Sequence, residues 1–392
     1  MKTISLFFAA SLLGHAALAT RLYAASYAGL VTSLDLSKSN ELSTLSQTTE
    51  CGGSPSWLML DSPNGVLYCL DEAINAPNGT ITTLKTHQDG TLTKLAQLKT
   101  PAGPVMSAMY SAPGVLERKF LAVAHYSGSS VTTYSADPVL GLFKHEQTFT
   151  YQMAAPGPVA ARQDAPHPHG VVVDPTGRFI LVPDLGADVV RVFYVNPSTG
   201  LLEQIEPLAL NPGSGPRHGA FWTPRGSNST SSDVYFYLVQ ELSNELSGFR
   251  VKYSGNGISF RKIYEGGTYG KESSPAGTKA AEIAISPENN RIIVSNRLDN
   301  TFGPKEDSFA VFLCADPSGK EAEKVSFLGL YPAYGSSPRH FSIAPTQTMV
   351  AVALESSQSV AVAQWSKRSG APGTLLAGKK LDGEIPSVVW DL

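Results

Sequence analysis

Charged side chains are scarce in this chain: Asp, Glu, Lys and Arg make up 16% of 392 residues, and the formal net charge is −3. That balance gives no reason to expect nucleic acid or an anionic membrane as a partner. Cysteine is scarcer still. The three residues Cys51, Cys69 and Cys314 leave at least one thiol unpaired, and no Cys-x-x-Cys spacing suggests zinc. Cys51 and Cys69 read either as a disulfide of an oxidising compartment or as core thiols. After the N-terminus no apolar run is long enough to span a bilayer, and 386–392 lacks the apolar tail of a lipid-anchor signal. Neither a Gly-x-Ser-x-Gly elbow nor a P-loop occurs, and Gly255-Asn256-Gly257 reads as a turn.

Glycine and proline, at 35 and 27 residues, are plentiful. That composition suits many short strands joined by turns better than long helices. The first 19 residues stand apart. Lys2, the apolar stretch 4–13 and Ala17-Leu18-Ala19 form the three parts of a secretory signal peptide, so the expected organisation is a signal at 1–19 and one secreted domain at 20–392. Export gives meaning to two glycosylation sequons, Asn78-Gly79-Thr80 and Asn228-Ser229-Thr230, whereas Asn196-Pro197-Ser198 is excluded by its proline.

The rest of the chain repeats one unit. Pro168-His169-Gly170 leads into Val171-Val172-Val173, a turn at Asp174-Pro175-Thr176-Gly177, a second apolar run over 179–182, and Asp184. Similar units open at Pro216-Arg217-His218-Gly219, Ala281-Glu282-Ile283 and Pro338-Arg339-His340, and weaker copies cover 56–71 and 105–126. Each continues into a third alternating strand, such as 189–195 or 359–365, and a shorter fourth. Six units at a period of roughly 50–65 residues read as blades of a propeller. Segments 22–27, 30–36 and 42–47, joined by 385–390, complete a seventh from both termini. The expectation is an all-β, seven-bladed β-propeller of four-stranded antiparallel blades. A two-sheet sandwich, the alternative, does not explain the period. Three stretches interrupt the units: a loop at 152–168, a polar insert at 226–232 and a polar loop at 299–308.

In such a ring, the residue before each first strand and the one after each second strand meet at one channel mouth. Those positions hold Asp71 and Glu72; His125 and Tyr126; His167, His169 and Asp184; Arg217, His218 and Glu241; Glu282, Asn296 and Arg297; Arg339, His340 and Glu355. Converging arginines make a site for a small anionic substrate, since guanidinium binds carboxylate in a bidentate fork. Plainer roles exist for several. Strand alternation allows His218 and His340 to face the sheet. Arg217 and Arg297 suit structural ion pairs with Glu241 or Glu282, and Asp184 suits a turn cap. His167-Pro168-His169 lacks the third ligand that a metal site requires, so no metal is expected.

At these motifs the sequence resembles the lactonase-type seven-bladed propellers, which include bacterial 6-phosphogluconolactonases and fungal 3-carboxy-cis,cis-muconate cyclases. The richer agreement is with the cyclases. The resemblance implies a catalytic group of His169, Arg217, Glu241 and Arg297, with His167, Asp184, His218, Arg339, His340 and Glu355 around the substrate. It implies an intramolecular lyase that closes a tricarboxylate diene to a lactone. Arginines would hold the developing enediolate, and His169, or else Glu241, would protonate the adjacent carbon. Neither metal nor other cofactor is implied. A lactone hydrolase using the same His169–Glu241 pair is the alternative, and a non-catalytic secreted propeller is a third reading. The export signal departs from the intracellular aromatic catabolism that such cyclases serve.

Overall fold

A computed structural model describes residues 20–74, 76–112, 114–115, 118–224, 233–314 and 323–391. The expected signal peptide and the Asn228 sequon lie outside them. Asn78 is exposed at the start of the strand Asn78–Thr86.

The described residues form seven four-stranded antiparallel sheets. Blade 1 pairs Ser387–Asp391 with Thr20–Ser26, followed by Leu30–Leu36 and Leu42–Thr48. Blades 2 to 7 occupy 55–101, 104–150, 172–209, 216–267, 279–332 and 338–380 in chain order. The two termini are thus laced into one sheet, with Arg21 opposite Asp391 in register and 3.2 Å from it as an ion pair. The closure ties the first and last segments of the chain into one blade, so that the only sheet edges left are the short innermost and outermost strands of the blades.

Burial explains the pattern of the strands. Middle strands lie between neighbouring blades on both faces, so they are apolar almost throughout: Phe179–Asp184 and Val234–Gln240 are buried at every residue. Outermost strands face water on one side; in Leu42–Thr48 only Leu42 is buried. In every blade the pairing of the third and fourth strands carries a register shift. Such bulges twist the rim and blunt its edge. Seven apolar clusters fill the seven blade interfaces. A ring such as Phe236, fully buried between blades 4 and 5, contributes about 1.5–3 kcal/mol. Cys51 and Cys69 form a disulfide, tying the entry of blade 2 to its second strand, while Cys314 is a buried free thiol.

Candidate active site

Innermost strands open irregularly. In blades 2, 3, 5 and 7 the first residue is a proline, and the register slips immediately after it, between Pro55 and Trp57, Pro104 and Met106, Pro216 and His218, and Pro338 and His340. Blade 6 slips between Ala280 and Ile283. Proline gives no ladder hydrogen bond, so it suits a strand's first position. The bulged residue that follows is released from the in–out alternation. The residues so released include Arg217, Arg339 and Glu282. This is why adjacent residues both reach the interior: Arg217 and His218 are each 2% exposed, and both face polar partners rather than the apolar interfaces. Of the two roles open to His218, it takes that of a buried, hydrogen-bonded histidine paired with Glu282.

The glycines of these motifs mark close approach. A Cβ on Gly170 would lie 2.7 Å from the Arg217 carbonyl oxygen, and one on Gly219 would lie 2.5 Å from the Phe236 ring. A side chain at Gly170 would push blade 4 from blade 5 and separate His169 from His218, and one at Gly219 would clash with the second strand of its own blade.

Six blades converge on a pocket of about 420 Å³. Its wall carries four cations, Arg162, Lys279, Arg297 and Arg339, and three carboxylates, Glu72, Glu241 and Glu355. His169, Tyr126 and Val105 complete it. Arg217 lies directly behind. Glu241 is the hub: Arg162 Nη1 is 2.7 Å, Arg297 Nη2 2.9 Å and Arg217 Nε 3.1 Å from its carboxylate oxygens. Burial alone would raise the Glu241 carboxyl, but Arg297, Arg162 and Arg217 outweigh it and hold it well below the usual range. Glu241 is therefore fixed as an anion and is a poor proton donor. Burial pushes Arg217 down to about 9, with Arg297 and Arg339 adding repulsion. A second pair of contacts joins Glu355 to Arg339 at 3.3 Å and to Arg297 at 3.8 Å. Proximity does not exhaust these guanidiniums. Arg217 Nε and Arg297 Nε and Nη2 are buried without a well-angled acceptor among the described residues.

His169 is 4% exposed, and its imidazole is kept neutral: burial, then Arg217, His218 and Arg339, push it well below its ordinary value. Its Nδ1 lies 3.2 Å from His218 Nε2. His218 Nδ1 lies 3.0 and 3.1 Å from the two Glu282 oxygens. Below them, His340 packs edge-on to Trp57 at 5.0 Å and accepts the Val388 amide on Nδ1.

Five of the ten residues expected from the sequence line the pocket: His169, Glu241, Arg297, Arg339 and Glu355. Arg217, His218 and His340 lie behind it. Two do not reach it. Asp184 is fully buried and occupied, accepting from the amides of His167 and Ala187 and from Arg191. It is the turn cap and ion-pair partner of its own blade. His167 stacks on Tyr126 at 4.0 Å, donates to the Tyr126 carbonyl and sits 3.1 Å from Asp164, so it supports the wall from outside. Arg162 and Lys279 were not anticipated. Arg162 comes from the irregular 152–168 stretch, where it is the only arginine or lysine. That isolation in a charge-poor loop is the one signal that marks it. Lys279 opens blade 6, the position at which other blades carry proline.

Residues 21–389 match the family described as "Lactonase, 7-bladed beta-propeller". The chain belongs to this lactonase family. It is 31% identical over 323 residues to a protein of Arthroderma benhamiae named "Probable 6-phosphogluconolactonase", covering 79% of this chain and 76% of that one. It is 29% identical over 333 residues to a 6-phosphogluconolactonase of Formosa agariphila, covering 83% and 85%. The periplasmic gluconolactonase of Pseudomonas aeruginosa superposes with a TM-score of 0.75 at 23% identity over 95% and 99% of the two chains, a likeness of fold. Family membership points to an enzyme acting on a small lactone. The finer resemblance to the muconate cyclases has no counterpart among these relatives.

Proposed function

We propose that this lactonase-family chain hydrolyses a lactone that carries an anionic group, with His169 as the general base. The observation that carries the reading is a neutral imidazole in the wall of a pocket with surplus cations. Water attacks the acyl carbon while His169 takes its proton, and the carbonyl electron pair moves to oxygen. Arg339, whose charge reaches His169, and Arg297, beside it in the pocket wall, are suited to the oxyanion and the substrate's own anion. The acyl–oxygen ring bond then breaks, and the departing alkoxide recovers the proton from His169. A positioned base contributes about 10²–10⁴-fold, and one oxyanion donor about 3 kcal/mol. The relatives named for 6-phosphogluconolactone and gluconolactone support a sugar-acid lactone as substrate. The Cys51–Cys69 disulfide supports action in an oxidising compartment, in keeping with an exported protein.

Cyclisation of a tricarboxylate diene is the second reading, because the same cations suit a polycarboxylate. That reaction needs an acid to protonate carbon. Glu241 is held ionised, and neutral His169 is a weak acid, so the donor set favours hydrolysis. Proton release from 6-phosphoglucono-δ-lactone and glucono-δ-lactone, followed beside loss of 3-carboxymuconate diene absorbance, tests the choice. The expected result is lactone hydrolysis above the spontaneous rate, abolished in His169→Ala. Diene loss alone would install the cyclase, and no turnover of any of the three would refute both.

A further inference from the structure

We propose that Glu282 and His218 form a proton-orienting chain behind His169, fixing it in the one tautomer that presents a bare Nε2 to the pocket. This rests on the reading of His169 as the base, and it adds two positioning residues that never touch substrate.

The chain starts at the carboxylate. Glu282 is buried, and although burial alone would raise it, His218, His340 and Arg217 bring it down to about 2. An ionised carboxylate only accepts hydrogen bonds. His218 Nδ1, 3.0 and 3.1 Å from its oxygens, must therefore carry the proton. Burial and Arg217 keep His218 neutral against the pull of Glu282, so its Nε2 has a lone pair. That lone pair faces His169 Nδ1 at 3.2 Å, which must then be the donor. With Nδ1 protonated and the ring neutral, His169 Nε2 is left free to accept a proton.

The reverse arrangement fails at the far end. It would set a His218 lone pair against the Glu282 carboxylate. Arg217 Nη1 approaches His218 Nδ1 only at 3.4 Å and has a better partner in the Ala281 carbonyl at 2.7 Å. The remaining neighbours do not compete. Trp57 meets His218 edge-on at 6.0 Å, and Tyr126 meets His169 edge-on at 5.7 Å. His340 uses Nδ1 to accept from Val388, which leaves its proton on Nε2. Glu282 is itself pinned: its amide donates to Ser295 Oγ, and its Oε1 accepts the Ile283 amide. The slipped register at the start of blade 6 makes this reach possible. A buried acid that holds a histidine in its working tautomer is a general device, and loss of the correct tautomer costs up to about 10⁴-fold elsewhere.

The test is ¹⁵N–¹H correlation of the full-length protein with labelled histidine, its His169 signals assigned from their loss in His169→Ala. The expected spectrum shows His169 protonated at Nδ1 and bare at Nε2. Glu282→Gln and His218→Phe are expected to lower kcat by about 10²-fold or more with KM nearly unchanged, since neither residue lines the pocket. A proton on His169 Nε2 in the unmodified protein would overturn the chain, as would wild-type kcat in a folded Glu282→Gln protein. Should either variant not fold, the wild-type spectrum decides alone. Should no lactone be turned over, the spectrum still decides the chain, while the hydrolase reading falls separately.

Discussion

Replacing Glu241 with glutamine keeps the volume of the hub and removes its charge. Three guanidiniums lie within 3.1 Å of that carboxylate: Arg162 at 2.7 Å, Arg297 at 2.9 Å and Arg217 at 3.1 Å. At an effective dielectric near 20, one charge pair at 4 Å is worth about 4 kcal/mol. Three such terms do not add to the net effect, because the variant also escapes the cost of burying a carboxylate. Removing one partner of a buried ion pair typically costs about 3–5 kcal/mol, and we expect Glu241→Gln in that range. The cause would be the arginines left facing one another. Loss of Glu241 would also lower Arg217, already near 9, still further. Equilibrium urea unfolding at pH 7 measures the change. Two controls isolate the mechanism. Millimolar inorganic phosphate should restore stability to Glu241→Gln more than it stabilises the wild type, because an anion in the pocket offsets the arginine charge that Glu241 no longer neutralises. Glu241→Gln combined with Arg297→Gln should cost less than the sum of the two singly, as expected for residues in contact. A Glu241→Gln protein within about 0.5 kcal/mol of wild type, the range of an ordinary surface substitution, would refute the hub.

Acid stability should follow Glu282. Its folded value of about 2 lies below its ordinary 4.5, so the unfolded chain takes the proton first. Its contribution is complete above pH 4.5 and is lost as pH falls toward 2; the urea-midpoint difference between wild type and Glu282→Gln should shrink across that window. Replacing Cys51 and Cys69 together with serine removes a cross-link spanning 18 residues. The variant should lose about 3 kcal/mol, and dithiothreitol should reproduce the loss in the wild type alone. Lys279→Met should raise KM for an anionic lactone about tenfold or more, the worth of one charge-assisted hydrogen bond, and leave KM for a neutral lactone unchanged. Equal effects on both substrates would remove Lys279 from anion recognition.

The ring was legible because its determinants are local. Turn signals such as Asp174-Pro175-Thr176-Gly177 and all-apolar runs such as 234–239 recur once per blade, and each reports its own hairpin. The closing blade was legible for the same reason, from 22–27 and 385–390, against the observed strands Thr20–Ser26 and Ser387–Asp391. Site residues at strand ends followed from the ring. Those set by finer geometry did not. Whether Arg217 or His218 faced inward could not be read from alternation, because the bulge after Pro216 suspends alternation there. Asp184 looked like a mouth residue by position, but its partners are the two amides and the arginine of its own blade. Arg162 was out of reach for a different reason: no periodicity governs an irregular loop, and its place is fixed by Tyr126 and Glu241, one in blade 3 and one in blade 5.

The repeated slip after proline also explains how a ring of near-identical sheets carries one asymmetric site. Blades 2, 3, 5, 6 and 7 each offer a bulge whose side chain is excused from core packing, so its identity is free to vary without altering the interface. Blade 2 places Ser56 there, spent on the Pro104 carbonyl; blade 3 places Val105, a bare patch of wall; blades 5 and 7 place arginines; blade 6 reaches in with Glu282. Fold and chemistry are thus encoded in different residues. Apolar runs specify the blades, whereas the charge of the pocket comes from bulges, from residues ending second strands, from Lys279 at the start of blade 6 and from Arg162 on its loop. A change of substrate within such a fold therefore requires new side chains at a few bulges and strand ends, and no change in the seven cores between the blades.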